Sequence, residues 1–159
     1  MLGDARVKLE QELAEEHPQQ FDILAVDAFS SDAIPMHLLT QECFELYWKH
    51  LKPDGILAVH ISNRFLDLSH LVRSLAWDAD KTAILIDFDT DLEHESGSTW
   101  ILITTNQQFI DSEEVQYFSS EWDLPYLIWT DDFGSLRQVL RSEDIWDTFR
   151  EMFSSDDDE

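Results

Sequence analysis

A hydrophobic run that ends in a carboxylate, Phe21–Ala28, is the feature that most constrains the fold. Four of its apolar residues, Ile23–Val26, are consecutive, which is typical of a buried strand. Asp27 closes the run, and Asp32 follows in a serine-containing loop that leads to Pro35. In open α/β sheets, ligands bind beyond the carboxyl ends of the strands, so both acids are candidate site residues. The alternative is that Asp27 and Ser30 only cap the next helix.

Strand-like and helix-like patterns alternate through the first half of the chain. The predicted order is strand Phe21–Ala28, a helical segment from Pro35 to Leu51, a turn at Lys52–Gly55, strand Gly55–Ser62, helix Leu66–Ala76 and strand Thr82–Phe88. Such alternation predicts parallel β-α-β units with right-handed crossovers. The expected fold is therefore an α/β domain with a mostly parallel sheet and flanking helices.

The remaining segments complete one predicted domain, residues 1–153. They are a helix at Arg6–Glu16, an acidic loop at Asp87–Gly97, a strand at Thr99–Thr105, a helix that starts at Ser112 and stops at Leu124–Pro125, and helical spacing over Ser135–Phe153. The final residues, Ser154–Glu159, are almost all serine and acid, and we expect a disordered tail.

The charge balance limits the possible partners. The 159 residues include 34 acidic and ten basic side chains, for a net charge of −24. Nucleic acid and anionic membranes are disfavoured, because both are bound through clusters of Lys and Arg. An acidic surface could concentrate amines, although it could equally serve solubility alone. The one cysteine, Cys43, excludes a disulfide within the chain, and together with the lack of an apolar run of about 18 residues this favours a cytoplasmic protein.

Metal and nucleotide motifs are not found in the sequence. Asp87, Asp89 and Asp91 alternate as in a calcium loop, but the glycine and glutamate of an EF-hand do not follow, and no metal site is expected. His60 lies near the end of a predicted strand and could face the site, but a structural strand-end histidine is favoured. No G-x-G-x-x-G pattern occurs, so a nucleotide site is not indicated by the residues alone.

An ordered series of motifs resembles a known family. Gly3–Arg6, Phe21–Thr40, Leu51–Asn63 and Trp129–Asp132 are similar to the C-terminal part of spermidine synthase-like proteins, especially the branch often fused to a membrane transporter-like segment. The resemblance implies the S-adenosylmethionine-dependent methyltransferase fold, with a reversed strand near the end of a mostly parallel sheet. It also implies aminopropyl transfer from decarboxylated S-adenosylmethionine to an amine, with no covalently bound cofactor.

The same resemblance assigns roles to particular residues. Asp4 and Ala5 match the motif beside the adenine of the donor. Asp27 matches the strand-end acid that takes up the proton of the attacking amine. Asp32, with Ser30 and Ser31, matches the loop that holds the polyamine, although the spacing of this loop departs from the family pattern.

The glycine-rich turn and the ribose-binding acid of the family do not occur before Gly3. We therefore expect a fragment without transfer activity, which could be the soluble part of a membrane-fused parent. In the family fold, further strands would pair beside Phe21–Ala28, so this edge should be covered either by a second copy or by the helix within residues 4–16. We expect a homo-oligomer. The alternatives are a methyltransferase that acts on another small acceptor, which could use S-adenosylmethionine, and a non-catalytic interaction or scaffold module.

Overall fold

The computed structural model describes residues 3–27, 35–63, 65–88, 97–120 and 125–141. The helices of these ranges are α1 (Ala5–Ala14), α2 (Gln41–His50), α3 (Ser69–Asp78), α4 (Gln107–Ile110) and α5 (Glu113–Phe118), with short 3₁₀ turns at Met36–Leu38 and Leu136–Gln138. The strands are β1 (Phe21–Val26), β2 (Leu51–His60), β3 (Thr82–Phe88), β4 (Ser98–Thr104) and β5 (Ser119–Ser120). The predicted α/β class is confirmed.

The five described strands form one mixed sheet in the order β1-β2-β4-β3-β5. Only β1 and β2 pair in parallel, whereas β4 is antiparallel to both β2 and β3, and β5 is antiparallel to β3. The prediction of a mostly parallel sheet is therefore wrong for this part of the chain. Its basis was sound, since β1, β2 and β3 all run in one direction. What the alternation of elements could not reveal is that β4 folds back and inserts between β2 and β3.

The predicted turn at Lys52–Gly55 lies inside β2. Leu51 pairs with Phe21, but the next pair joins Ile56 to Ile23, so four residues of β2 face one residue of β1. This bulge accommodates Pro53, which has no N–H for a ladder hydrogen bond. Gly55 is needed because a Cβ there would lie 3.0 Å from the Phe21 carbonyl oxygen.

Helices cover both faces of the sheet. Side chains of successive strand residues point to opposite faces. Ile101 and Ile103 of β4 belong to the main core with α2 and α3, whereas Leu102 packs with Ile84, Ile86 and Val115 beside α4 and α5. The main core holds the large buried side chains Phe44, Tyr47, Leu71, Leu75 and Trp129.

The first strand lies at the edge of the described sheet, as expected. β1 has β2 as its neighbour on one side, and Ile23 is 61% exposed. An exposed, apolar edge strand can pair with another chain. The homo-oligomer expected through this edge stays a prediction.

The C-terminal part of the chain departs from the expected helix in the region that is described. Residues 135–141 contain the 3₁₀ turn and a β-bridge between Leu140 and Leu66. Val139 packs into the core next to the bridge, whereas Leu136 and Leu140 are exposed. The rest of the predicted helix, the tail Ser154–Glu159 and residues 89–96 of the acidic loop lie outside the described residues.

Candidate functional site

The carboxyl ends of the parallel strands β1 and β2 bring polar side chains together. Asp27 directly follows β1, and His60 is the last residue of β2. Because β1 and β2 are parallel neighbours with Val26 opposite Val59, the residues that follow this pair, Asp27 and His60, are adjacent. Asp27 Oδ1 lies 2.8 Å from His60 Nδ1. The strand-end acid predicted from the sequence thus has a histidine partner.

Ser62 and Thr99 extend this contact into a hydrogen-bonded chain. The Ser62 Oγ atom lies 2.8 Å from His60 Nε2, and it accepts a hydrogen bond of 2.7 Å from the Thr99 backbone N–H. The position of Ser62 is fixed by its neighbour, since the Ile61 N–H donates to the Thr99 carbonyl at 2.9 Å. We refer to this hydrogen-bonded set as the relay, which consists of Asp27, His60 and Ser62.

The donors and acceptors around the imidazole assign its tautomer. An ionised carboxylate can only accept, so Nδ1 of His60 carries a proton and donates it to Asp27. In neutral imidazole Nε2 is then an acceptor, and the Ser62 hydroxyl donates to it. The Thr99 N–H occupies a lone pair of the same hydroxyl, which leaves the Ser62 proton directed at the ring.

Exposure differs along the relay. The Asp27 side chain is 57% exposed, whereas that of His60 is 21% exposed. The His60 ring is also stacked on Trp100, with 4.8 Å between the ring centroids and an angle of 24° between the planes. The histidine is therefore held on three sides, and the carboxylate is open to small molecules in solution.

The acceptor-loop residues predicted from the sequence, Ser30, Ser31 and Asp32, lie outside the described residues. Asp4 is described and caps α1. Its Oδ1 accepts from the Val7 N–H at 3.1 Å, and its Oδ2 lies 2.7 Å from His37 Nε2. The bond from Val7, followed by that from His37, lowers the pKa of Asp4.

Ala5, the second residue of the predicted donor motif, is the exposed first residue of α1. The residues after it form a second polar cluster around Arg6. Its guanidinium donates to both carboxylate oxygens of Asp131, with Nη1 at 2.6 Å from Oδ1. Thr40, which caps α2, donates to Asp131 at 2.8 Å. The Arg6 bonds, followed by the Thr40 bond, lower the pKa of Asp131 to about 2.

This Arg6 cluster lines a cleft of about 430 Å³ together with Met36, His37 and Trp129. In a β-α-β crossover the helix runs from the carboxyl end of the first strand to the amino end of the next. The first turn of α2, with Thr40, therefore faces the same end of the sheet as Asp27. Arg6 and Asp131 form an ion pair with each other, and Thr40 bonds to the same carboxylate. We therefore interpret the cluster as a structural contact that joins three segments distant in the sequence.

Sequence reasoning found Asp27 but missed the rest of the relay. His60 was interpreted as a structural histidine, and Ser62 was not considered a site residue. The available signal was that polar residues end two consecutive strands of one β-α-β unit. Arg6 and Asp131 are 125 positions apart in the sequence, and no local pattern indicates such a pair.

Within the described ranges, no group of three or more His, Cys, Asp or Glu side chains is placed to hold a metal ion. None of the helices in these ranges combines the length and the apolar character needed to cross a membrane.

In the comparisons with known proteins, matches were found among solved structures. No family model matches the sequence, and no curated protein is significantly similar to it. The crystal structure of spermidine synthase from Thermotoga maritima is 16% identical, with a TM-score of 0.46. The match covers 80% of this chain and 42% of that one, so the chain spans less than half of the synthase. Similarity at this level says nothing about a shared activity.

Proposed function

We propose that the carboxyl-end site binds an amine and that Asp27 takes up its proton, which is the acceptor half of aminopropyl transfer. The observation that carries this proposal is the position of Asp27: a half-exposed carboxylate that follows a parallel strand and is held by His60 through one oxygen. The other oxygen can accept a hydrogen bond from an ammonium group. The net charge of −24 favours the approach of such a cation.

The chemistry requires a carboxylate at this position. An ammonium has no lone pair and cannot attack an electrophile until a base removes a proton. A carboxylate within hydrogen-bond distance accepts that proton, and a positioned base of this kind contributes about 10²–10⁴-fold to a rate. Putrescine and spermidine are the amines that the family resemblance suggests, with Ser30, Ser31 and Asp32 as further contacts.

Binding of the aminopropyl donor rests on the family resemblance alone. By resemblance, Asp4 and Ala5 would lie beside the adenine of decarboxylated S-adenosylmethionine. Each oxygen of Asp4 has one hydrogen-bond contact, with the Val7 N–H and with His37, so a nucleoside would have to use the remaining lone pairs of the carboxylate. The sequence also contains no glycine-rich donor turn. We therefore propose amine binding without aminopropyl transfer by this polypeptide.

Calorimetric titration with putrescine and spermidine tests the proposal. In the Asp27→Asn variant we expect affinity to fall about 10-fold or more, because a charge-assisted hydrogen bond contributes about 1.5–3 kcal/mol. Asp22→Asn is the matched control, since it removes the same charge from an exposed residue of the same segment. Equal affinity in the two variants would show general attraction to an acidic surface, and the proposal would be wrong.

A further inference from the structure

The relay has the order of groups that activates a serine hydroxyl. Asp27 contacts Nδ1 of His60, and Ser62 contacts Nε2, each at 2.8 Å. We infer that Ser62 is a nucleophile toward carboxylic esters, with His60 as its base and Asp27 as the residue that positions the imidazole. This activity goes beyond the proposed amine site and does not depend on it.

Each contact of the relay has a role in forming the nucleophile. As Ser62 Oγ attacks, its proton moves to His60 Nε2, and the resulting imidazolium is stabilised by the Asp27 carboxylate. The Thr99 N–H, 2.7 Å from Oγ, holds the hydroxyl in place with its proton directed at Nε2, which orients the oxygen for transfer of that proton. Stacking on Trp100 keeps the imidazole from turning away, so the base stays aligned.

The proposed reaction is balanced with water and an ester alone. A bond forms between Ser62 Oγ and the carbonyl carbon, and the bond from that carbon to the leaving oxygen breaks. The proton held on Nε2 passes to the leaving alkoxide, which departs as an alcohol. Water then attacks the acyl group with His60 again as the base, which releases the acid and restores the Ser62 hydroxyl.

The charge of the chain indicates the substrate class. With a net charge of −24, the surface repels anions and attracts cations. The substrate is therefore a neutral or cationic ester with an unhindered carbonyl, because Ser62 is partly buried.

A fluorophosphonate probe tests the nucleophile directly. Its phosphorus forms a bond to an activated serine oxygen while fluoride leaves, and mass spectrometry of the digested protein identifies the modified residue. In the intact wild-type chain we expect one adduct, on Ser62. His60→Gln and Asp27→Asn should slow labelling by at least about 10²-fold, since they remove the base and its positioning partner.

The matched control is Ser119→Ala, which removes a serine whose hydroxyl donates to the Gln116 carbonyl. Labelling of Ser62 should stay intact in that variant. No adduct, adducts spread over several serines, or equal rates in His60→Gln and wild type would overturn the inference. A labelled Ser62 in a chain that binds no amine would uphold it and reject the proposed function instead.

Discussion

Asp131→Asn should destabilise the protein at neutral pH and should have a much smaller effect at pH 2, where about half of the native carboxyl groups are protonated. In the native chain the Asp131 carboxylate accepts two hydrogen bonds from Arg6 and one from Thr40, which lower its pKa from 3.8 to about 2. A carboxylate with a lowered pKa stabilises the folded state above its unfolded pKa. That stability is lost as the pH falls from about 4 through about 2.

The magnitude follows from the same pKa. A decrease from 3.8 to about 2 would be worth roughly 2.5 kcal/mol if all of it were retained. The Asp131 side chain is 39% exposed, so solvent screening reduces this value, and about 1 kcal/mol is expected. In a chain of this size, 1 kcal/mol corresponds to a decrease of about 2–4 °C in Tm.

Urea denaturation of wild type and Asp131→Asn, at pH 7 and near pH 2, measures the free energy of unfolding with the carboxyl group fully ionised and with it about half protonated. Asp132→Asn is the matched control, because it makes the same change at the neighbouring residue of the same turn. The difference between wild type and Asp131→Asn should shrink to a small fraction of its pH 7 value at the lower pH. A difference of the same size at both pH values would show that the charge of Asp131 is not the cause.

Two further predictions concern packing and assembly. Gly55→Ala should lower the free energy of unfolding by about 1–3 kcal/mol, because its Cβ would lie 3.0 Å from the Phe21 carbonyl oxygen and from Leu51 Cδ2. Gly3→Ala, with no atom within 4 Å of its Cβ, is the control in the same urea denaturation assay. Equal stability of the two variants would contradict the close approach at Gly55. If the β1 edge joins two copies, light scattering should give a dimer mass for wild type and a monomer mass for Ile23→Lys. Ile23 is exposed on this edge, and a lysine on an edge strand opposes pairing with another strand. A monomeric wild type at high concentration would reject this interface.

The sequence was most informative where a pattern is local. The strand Thr82–Phe88 has the predicted bounds, and β1 differs only at its C-terminal end. Ser112 starts α5, as its position before two glutamates indicated. These elements were predictable because apolar runs and capping residues act within a few positions.

Long-range pairing could not be predicted in the same way. The insertion of β4 depends on hydrogen bonds between residues 40 or more positions apart, such as Leu57 and Ile103. The carboxylate of the site was predicted because a strand end is recognisable in one segment. The role of the histidine was not, since its contact with Asp27 exists only once two strands are side by side, and Ser62 joins the site only through that histidine.

The position of β4 has a consequence for the order in which the sheet can be completed. During synthesis β3 emerges before either of its described partners, since β4 and β5 both follow it in the chain. β1 and β2 can associate as soon as residue 60 is available, but β3 must wait until β4 emerges and bridges it to β2. Assembly from the N-terminus therefore leaves an apolar strand without a partner for a time, which is when a growing chain is most prone to aggregate.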